Sequence, residues 1–178
     1  MKNEIVIAGF GGQGILFSGK VMVYAGMMDG HQVSWLPSYG PEMRGGTANC
    51  SVIISDSAIG SPIVNDPEIL IAMNLPSLDK FEEAIVPNGV AFIDSTLITR
   101  KVAREDVKAF YIPSTQMAND NGMTGLANMI MLGKVIREVP GFELDSIIAA
   151  IKKVVPARKA EMLEKNIKAV EMGYNYEG

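Results

Sequence analysis

Over the first two thirds of the chain, short apolar runs alternate with amphipathic stretches, and over the last third the apolar positions recur at helical spacing. Asn3 to Ala8 is a β-branched apolar run closed by Gly9, the pattern of a strand buried on both faces. Beyond a loop at Gly9 to Gly14, the spacing of Ile15, Leu16, Val21, Met22, Tyr24 and Ala25 predicts a helix ending in the Gly26 to Gly30 region. His31 to Leu36 is expected as a second strand stopped by Pro37, and Ala48 to Ser55 as a third, with a loop at Ser38 to Gly46. Ile69 to Met73, Val90 to Ile93 and Val107 to Ile112 are further buried strands, and a helix is expected around Ser77 to Ile85.

Leu126, Ala127, Met129, Ile130, Met131, Leu132, Val135 and Ile136 leave the next helix almost no solvent face, Asn128 and Lys134 being among its few polar positions. Something must cover it, and Met129 and Met131 are expected at a subunit interface, which leaves open a homodimer of the isolated chain. Asp145 is placed to cap a helix through Val155. Leu163, Ile167 and Val170 form the stripe of a final helix, with Glu161–Lys165 and Glu164–Lys168 at i,i+4. Alternating strands and helices imply an α/β fold: one three-layer α/β/α domain over residues 1–178, with a mostly parallel sheet and a helical C-terminal third.

Composition narrows the function. The formal charge of −4 provides no general polycation for a nucleic acid or an anionic membrane. The single cysteine, Cys50, cannot form an intrachain disulfide or fill a zinc or iron–sulfur site, and its apolar strand makes it a core residue. No apolar stretch reaches membrane-spanning length, and a cytoplasmic protein is expected. His31, the only histidine, opens a strand and is assigned no chemistry.

Two segments carry binding chemistry. Gly9-Phe10-Gly11-Gly12-Gln13-Gly14 satisfies G-x-G-x-x-G after a strand and before a helix. There the glycines permit a tight turn and a close approach to a phosphate, or serve only close packing. The acidic residue that holds a ribose about 20 residues further on in dinucleotide enzymes is absent: Ser34, Trp35 and Leu36 stand there. The second segment is Pro37 to Asn49, in which Arg44, followed by Gly45 and Gly46, presents a guanidinium suited to a bidentate grip on phosphate or carboxylate. Walker lysine, H-E-x-x-H and nucleophile-elbow motifs are missing, so no self-sufficient active site is visible.

Gly9 to Ile15, Ser38 to Gly46, Ser55-Asp56 with Ile59 and Ser61-Pro62, Asn128-Met129 with Leu132-Gly133, and Asn166 with Gly173 together resemble the gamma subunit of 2-oxoacid:ferredoxin oxidoreductases. The nine-residue loop is more similar to the 2-oxoglutarate and 2-oxoisovalerate branch of the pyruvate:ferredoxin oxidoreductase family than to the pyruvate branch.

The resemblance implies a non-autonomous subunit of a complex that oxidatively decarboxylates a 2-oxoacid, 2-oxoglutarate favoured, to an acyl-CoA and passes electrons to ferredoxin. Thiamine diphosphate, magnesium and iron–sulfur clusters would belong to the alpha, beta and ferredoxin-like delta partners. On this chain the expectation falls on Gly11, Gly12, Gln13, Gly14, Arg44, Gly45 and Gly46 for an anionic group, coenzyme A foremost, and on Tyr39, Glu42, Met129 and Met131 for partner contact. A stand-alone Rossmann-like nucleotide-binding or regulatory domain is the competing expectation.

Overall fold

The computed structural model describes residues 1–38 and 47–178. Six strands form one sheet: β1 (Lys2–Phe10), β2 (Gln32–Ser38), β3 (Thr47–Ser55), β4 (Ile69–Ala72), β5 (Val90–Asp94) and β6 (Lys108–Ile112), in the order β2-β3-β1-β4-β5-β6. β1, β4, β5 and β6 pair in parallel, while β3 is antiparallel to both β1 and β2. Among the described strands β3 alone therefore opposes the rest, in a sheet otherwise parallel as expected.

Successive side chains of a strand point to opposite faces, and here both faces are covered. Ile5, Ile7, Val52, Ile54, Ile71 and Phe92 face one apolar layer, which includes buried residues of α1 (Ile15–Met28), α4 (Ala127–Glu138), α5 (Leu144–Val154) and α6 (Ala160–Tyr174). Val6, Ala8, Ile53, Leu70, Ala91 and Ile93 face the other, closed by Leu78 of α2 (Leu75–Phe81), Ile85, Ile98 and Val107. The buried Glu82 ties this second layer together, accepting from Arg100 Nη2 at 2.7 Å and from the backbone amide of Ala103.

Several expectations are corrected. Pro37 does not stop β2; it lies within the strand, opposite Cys50. β2 is a sheet edge, where a residue without an N–H leaves no ladder bond unmade. Asp145 does not cap α5: the cap position is Glu143, without a side-chain bond, and Asp145 lies in the first turn, where its charge favours the helix dipole. Glu161–Lys165 forms at 2.8 Å, whereas Glu164–Lys168 is not among the ion pairs formed by the described residues. The helix around 77–85 is α2 followed by a 3-10 turn at Glu82–Ala84, and the short α3 (Ser114–Asp120) has no apolar stripe to announce it.

Met129 and Met131 are not at a surface: both are completely buried. The cover they require comes from within the chain, because α6 lies on α4 with glycines at the crossing. A Cβ on Gly133 would stand 2.0 Å from the Val170 carbonyl oxygen, and one on Gly173 would stand 1.7 Å from that of Ile130. Only hydrogen on both residues lets the two backbones approach this closely, and the approach seals the methionines inside. The motive for a homodimer through this helix disappears with it.

The polar residues of α4 are used. Lys134, nearly fully buried, pairs with Glu138 at 2.8 Å and donates to the Tyr176 carbonyl at 3.0 Å, while Arg137 Nη1 donates to that of Tyr174 at 3.0 Å. These bonds fasten the end of α6 and the residues after it. Asn128 reaches toward the glycine loop.

Candidate functional site

The glycine loop leaves the carboxyl end of β1 and enters α1, and neighbouring side chains fix its shape. Gln13 folds back into it: Oε1 accepts from the Phe10 amide at 2.6 Å, and Nε2 donates to the Met73 carbonyl at 3.0 Å. Its side chain thus fastens the ends of β1 and β4 together, so what it offers a ligand is backbone. Gly14 has φ of 73°, and a Cβ there would meet Asn128 Nδ2 at 2.5 Å. Glycine is required on both counts. Asn128 Nδ2 lies 3.0 Å from the Gly14 carbonyl and 3.0 Å from Ser18 Oγ, binding the start of α1 to α4. Gly12, with φ of 93°, has open space around it, and Gly11 is exposed.

Gly12 and Gln13 form one wall of an open hollow of about 250 Å³. The other walls are Leu97 after β5, Thr115 and Asn119 of α3, and the Thr124–Ala127 approach to α4. Beside the hollow, the completely buried Asp94 ends β5 with both carboxylate oxygens engaged, Oδ1 by the Thr96 amide at 3.0 Å and Oδ2 by the Thr115 hydroxyl. It holds the base of α3 in place. Sequence reasoning missed Asp94, Thr115, Asn119 and Thr124. A carboxylate directly after the apolar Val-Ala-Phe-Ile run of β5 was the available signal for Asp94.

The two ends of the arginine segment are fixed at the same end of the sheet. Thr47 pairs with Phe10 and Ala48 with Gly9, while Ser38 at the end of β2 pairs with Asn49. Of the two residues between which the segment runs, Thr47 is thus held beside the glycine loop, and Ser38 lies one strand further out at the same end of the sheet. Tyr39, Glu42, Arg44, Gly45 and Gly46 themselves lie outside the described residues.

Sheet order also bears on the dinucleotide expectation. β3 separates β2 from β1. The end of β2 is therefore two strand spacings from the glycine loop, roughly 10 Å rather than 5 Å. A ribose-holding residue on β2 would be out of register with a pyrophosphate on the loop, which accounts physically for the apolar and hydroxyl residues found there.

The remaining titratable groups stand elsewhere. His31 Nδ1 lies 2.8 Å from Asp56, which also pairs with the N-terminal ammonium, at the opposite edge of the sheet from the glycine loop. The ammonium holds the Asp56 carboxyl below the usual carboxylate range. Burial pushes the Cys50 thiol up to about 12, so it is no nucleophile. Among the described residues there is no cluster of three His, Cys, Asp or Glu able to hold a metal ion, and no helix long and apolar enough to cross a membrane.

A glycine loop at the point where strand order reverses, beside a hollow at the carboxyl ends of parallel strands, defines an α/β protein with an open crevice where such folds place their ligands. The family model described as pyruvate ferredoxin/flavodoxin oxidoreductase matches residues 4–176, and the chain belongs to that family. It is 38% identical over 171 residues to ketoisovalerate oxidoreductase subunit VorA of Methanothermobacter thermautotrophicus, covering 96% of this chain and 35% of that protein. The chain thus spans about a third of the length of that relative. It is 36% identical over 177 residues to 2-oxoglutarate synthase subunit KorC of Methanocaldococcus jannaschii, covering 98% of this chain and 93% of that one.

Among solved structures, the gamma subunit of a keto/oxoacid ferredoxin oxidoreductase from Geobacter sulfurreducens superposes with a TM-score of 0.83 at 29% identity, over 97% of this chain and 96% of that one. A 2-oxoglutarate:ferredoxin oxidoreductase from Magnetococcus marinus, with 2-oxoglutarate, coenzyme A and succinyl-CoA bound, shares the fold: its TM-score is 0.85 at 22% identity, over 97% of this chain and 30% of that one.

Proposed function

We propose that this chain is the gamma subunit of a cytoplasmic, multisubunit 2-oxoacid:ferredoxin oxidoreductase, and that it supplies a binding surface for coenzyme A rather than reacting groups. The observation that carries the reading is the shared edge: the glycine loop, the ends of the arginine segment and the hollow at Gly12 all meet at the carboxyl ends of the parallel strands. Near that edge the one buried carboxylate described, Asp94, has both oxygens engaged within the chain, and neither His31 nor Cys50 is close enough or reactive enough to serve as base or nucleophile.

The hollow fits part of a coenzyme A molecule: it is smaller than the several hundred cubic ångströms that an enclosed ligand of that size fills. Gly12 offers backbone without a side chain, and the hydroxyls of Thr115 and Thr124 and the amide of Asn119 line the remainder. Arg44 is assigned a charge-assisted grip on the ligand's anionic groups, and Tyr39 and Glu42 a contact with a neighbouring subunit. The companions, alpha, beta and a ferredoxin-like delta subunit, hold thiamine diphosphate, magnesium and iron–sulfur clusters, and those groups carry out decarboxylation and electron transfer. Of the substrates, 2-oxoglutarate is favoured by the Ser38 to Gly46 loop and by the end-to-end match with KorC.

The test is Arg44→Ala in the assembled complex. Loss of one charge-assisted contact should raise the KM for coenzyme A about tenfold or more, with kcat changed less than about twofold. An unchanged KM together with unchanged assembly overturns the assignment of Arg44.

A further inference from the structure

A concavity larger than the hollow at Gly12 lies outside the crevice at the glycine loop. It is an open groove of about 680 Å³ between the Thr124–Leu126 segment and the start of α6, lined by Leu126, Arg158, Lys159, Met162 and Lys165 with the Glu161 carboxylate among them. Its charge is opposite to that of the whole chain. From Ser146 to Ala160 there are four cations, Lys152, Lys153, Arg158 and Lys159, and no anion, in a protein of net charge −4. All four side chains belong to exposed residues, and none enters an ion pair with a described residue. Glu161 is the one acidic group in the groove, and Lys165 at 2.8 Å offsets it, leaving Arg158 and Lys159 uncompensated.

Like charges clustered on a surface repel one another unless a counter-charge sits between them, so this corner is poised for an anion. Its floor is apolar. Met162 is 48% exposed and, with Leu126, offers a face on which a flat ring can lie. Thr124 belongs both to this groove and to the hollow at Gly12 and Gln13, so the two adjoin at that residue. A volume of this size suits a nucleotide-sized ligand.

We propose that the groove is a second binding site, for a nucleotide bearing clustered phosphates. The phosphates sit on Arg158 and Lys159, the base lies on Met162 and Leu126, and any long arm leads past Thr124 toward Gly12. The shared chemistry has two sources, a free nucleotide and the phosphorylated adenosine end of coenzyme A. In the second case the proposal rests on the reading above and adds which end of the ligand lies where.

The experiment is calorimetric titration of the purified full chain with ADP, adenosine 3′,5′-bisphosphate, coenzyme A, pantetheine and inorganic phosphate. It is repeated with Arg158→Glu/Lys159→Glu, with the milder Arg158→Gln/Lys159→Gln, and with Lys80→Glu on α2 as a charge control. The phosphorylated nucleotides should bind at least tenfold more tightly than pantetheine or phosphate. The double reversal should weaken them by a further tenfold or more, the amide pair by less, and the control not at all.

Equal binding of ADP and coenzyme A identifies a free nucleotide as the occupant, and tighter coenzyme A identifies the carrier; both support the site. Absence of saturable binding by any phosphorylated probe overturns it, as does binding indifferent to both double variants. The two proposals fail separately. A coenzyme A KM that ignores Arg44→Ala removes that residue's role and leaves the groove, whereas nucleotide binding that ignores Arg158 and Lys159 removes the groove and leaves the loop.

Discussion

Gly133→Ala sets two effects of opposite sign against each other. Gly133 lies in the interior of α4, where replacing glycine with alanine ordinarily gains about 1 kcal/mol of helix propensity. Here the added Cβ falls 2.0 Å from the Val170 carbonyl oxygen and 2.7 Å from the Tyr174 amide nitrogen, against the 3.0 Å below which real Cβ contacts essentially never go. Both obstacles are backbone, so no rotamer change relieves them. α6 must withdraw by about an ångström, loosening the cover over Met129 and Met131 and straining the Lys134 bond to Tyr176. Overpacking of this kind costs about 1–3 kcal/mol.

With both obstacles backbone the cost lies at the top of that range, about 3 kcal/mol, so after the propensity gain the net loss is about 2 kcal/mol. In a domain of this size that lowers Tm by roughly 4–8 °C. Differential scanning calorimetry on the variant measures it, with Gly60→Ala as control, because nothing lies within 4 Å of a Cβ there. A Tm for Gly133→Ala equal to or above the parent's would refute the glycine-to-backbone crossing.

Other consequences follow from particular bonds. Asn128→Leu leaves the Gly14 carbonyl and Ser18 hydroxyl without their amide partner, so urea unfolding should show a loss of about 1–3 kcal/mol; a neutral result contradicts that link. Cys50 should resist a thiol reagent at pH 8 in the native chain and react at once in denaturant, because its thiol is buried with its pKa raised to about 12; rapid native labelling overturns the burial. The carboxyls of Asp56 and Asp106 are both held below 3.8, by the N-terminal ammonium and by Arg104 respectively. A depressed folded-state pKa stabilises the fold above the unfolded value and ceases to as pH falls through the folded one. Melting temperature should therefore decline below about pH 4, and Asp56→Asn should flatten part of that limb; an identical slope in the variant speaks against the pairing.

How far the sequence reveals the structure depends on whether a residue's environment is local. The buried strands were legible because runs such as Ile5 to Ala8 can bury alternate side chains on two faces only inside a covered sheet. The direction of β3 was not, since an antiparallel strand buried on both faces has the same apolar pattern as a parallel one. The apolar circumference of α4 correctly demanded a cover, but its identity depended on a glycine crossing between residues 40 positions apart, Gly133 and Gly173. Met129 and Met131 were assigned to a partner for that reason. Glycines at 9–14 announced the loop, whereas the inward turn of Gln13 onto Met73 depends on β4 arriving beside β1, a fact of topology. The hollow's far wall comes from α3, whose polar sequence carries no helical stripe.

Turnover with the subunit present and absent tests the central claim most directly. Purified chain alone, given 2-oxoglutarate, coenzyme A and ferredoxin, should reduce no ferredoxin. Addition of its co-expressed companion subunits should establish reduction dependent on coenzyme A, and leaving this chain out should abolish it. Reduction by the chain alone, or undiminished reduction by the companions without it, would contradict the account.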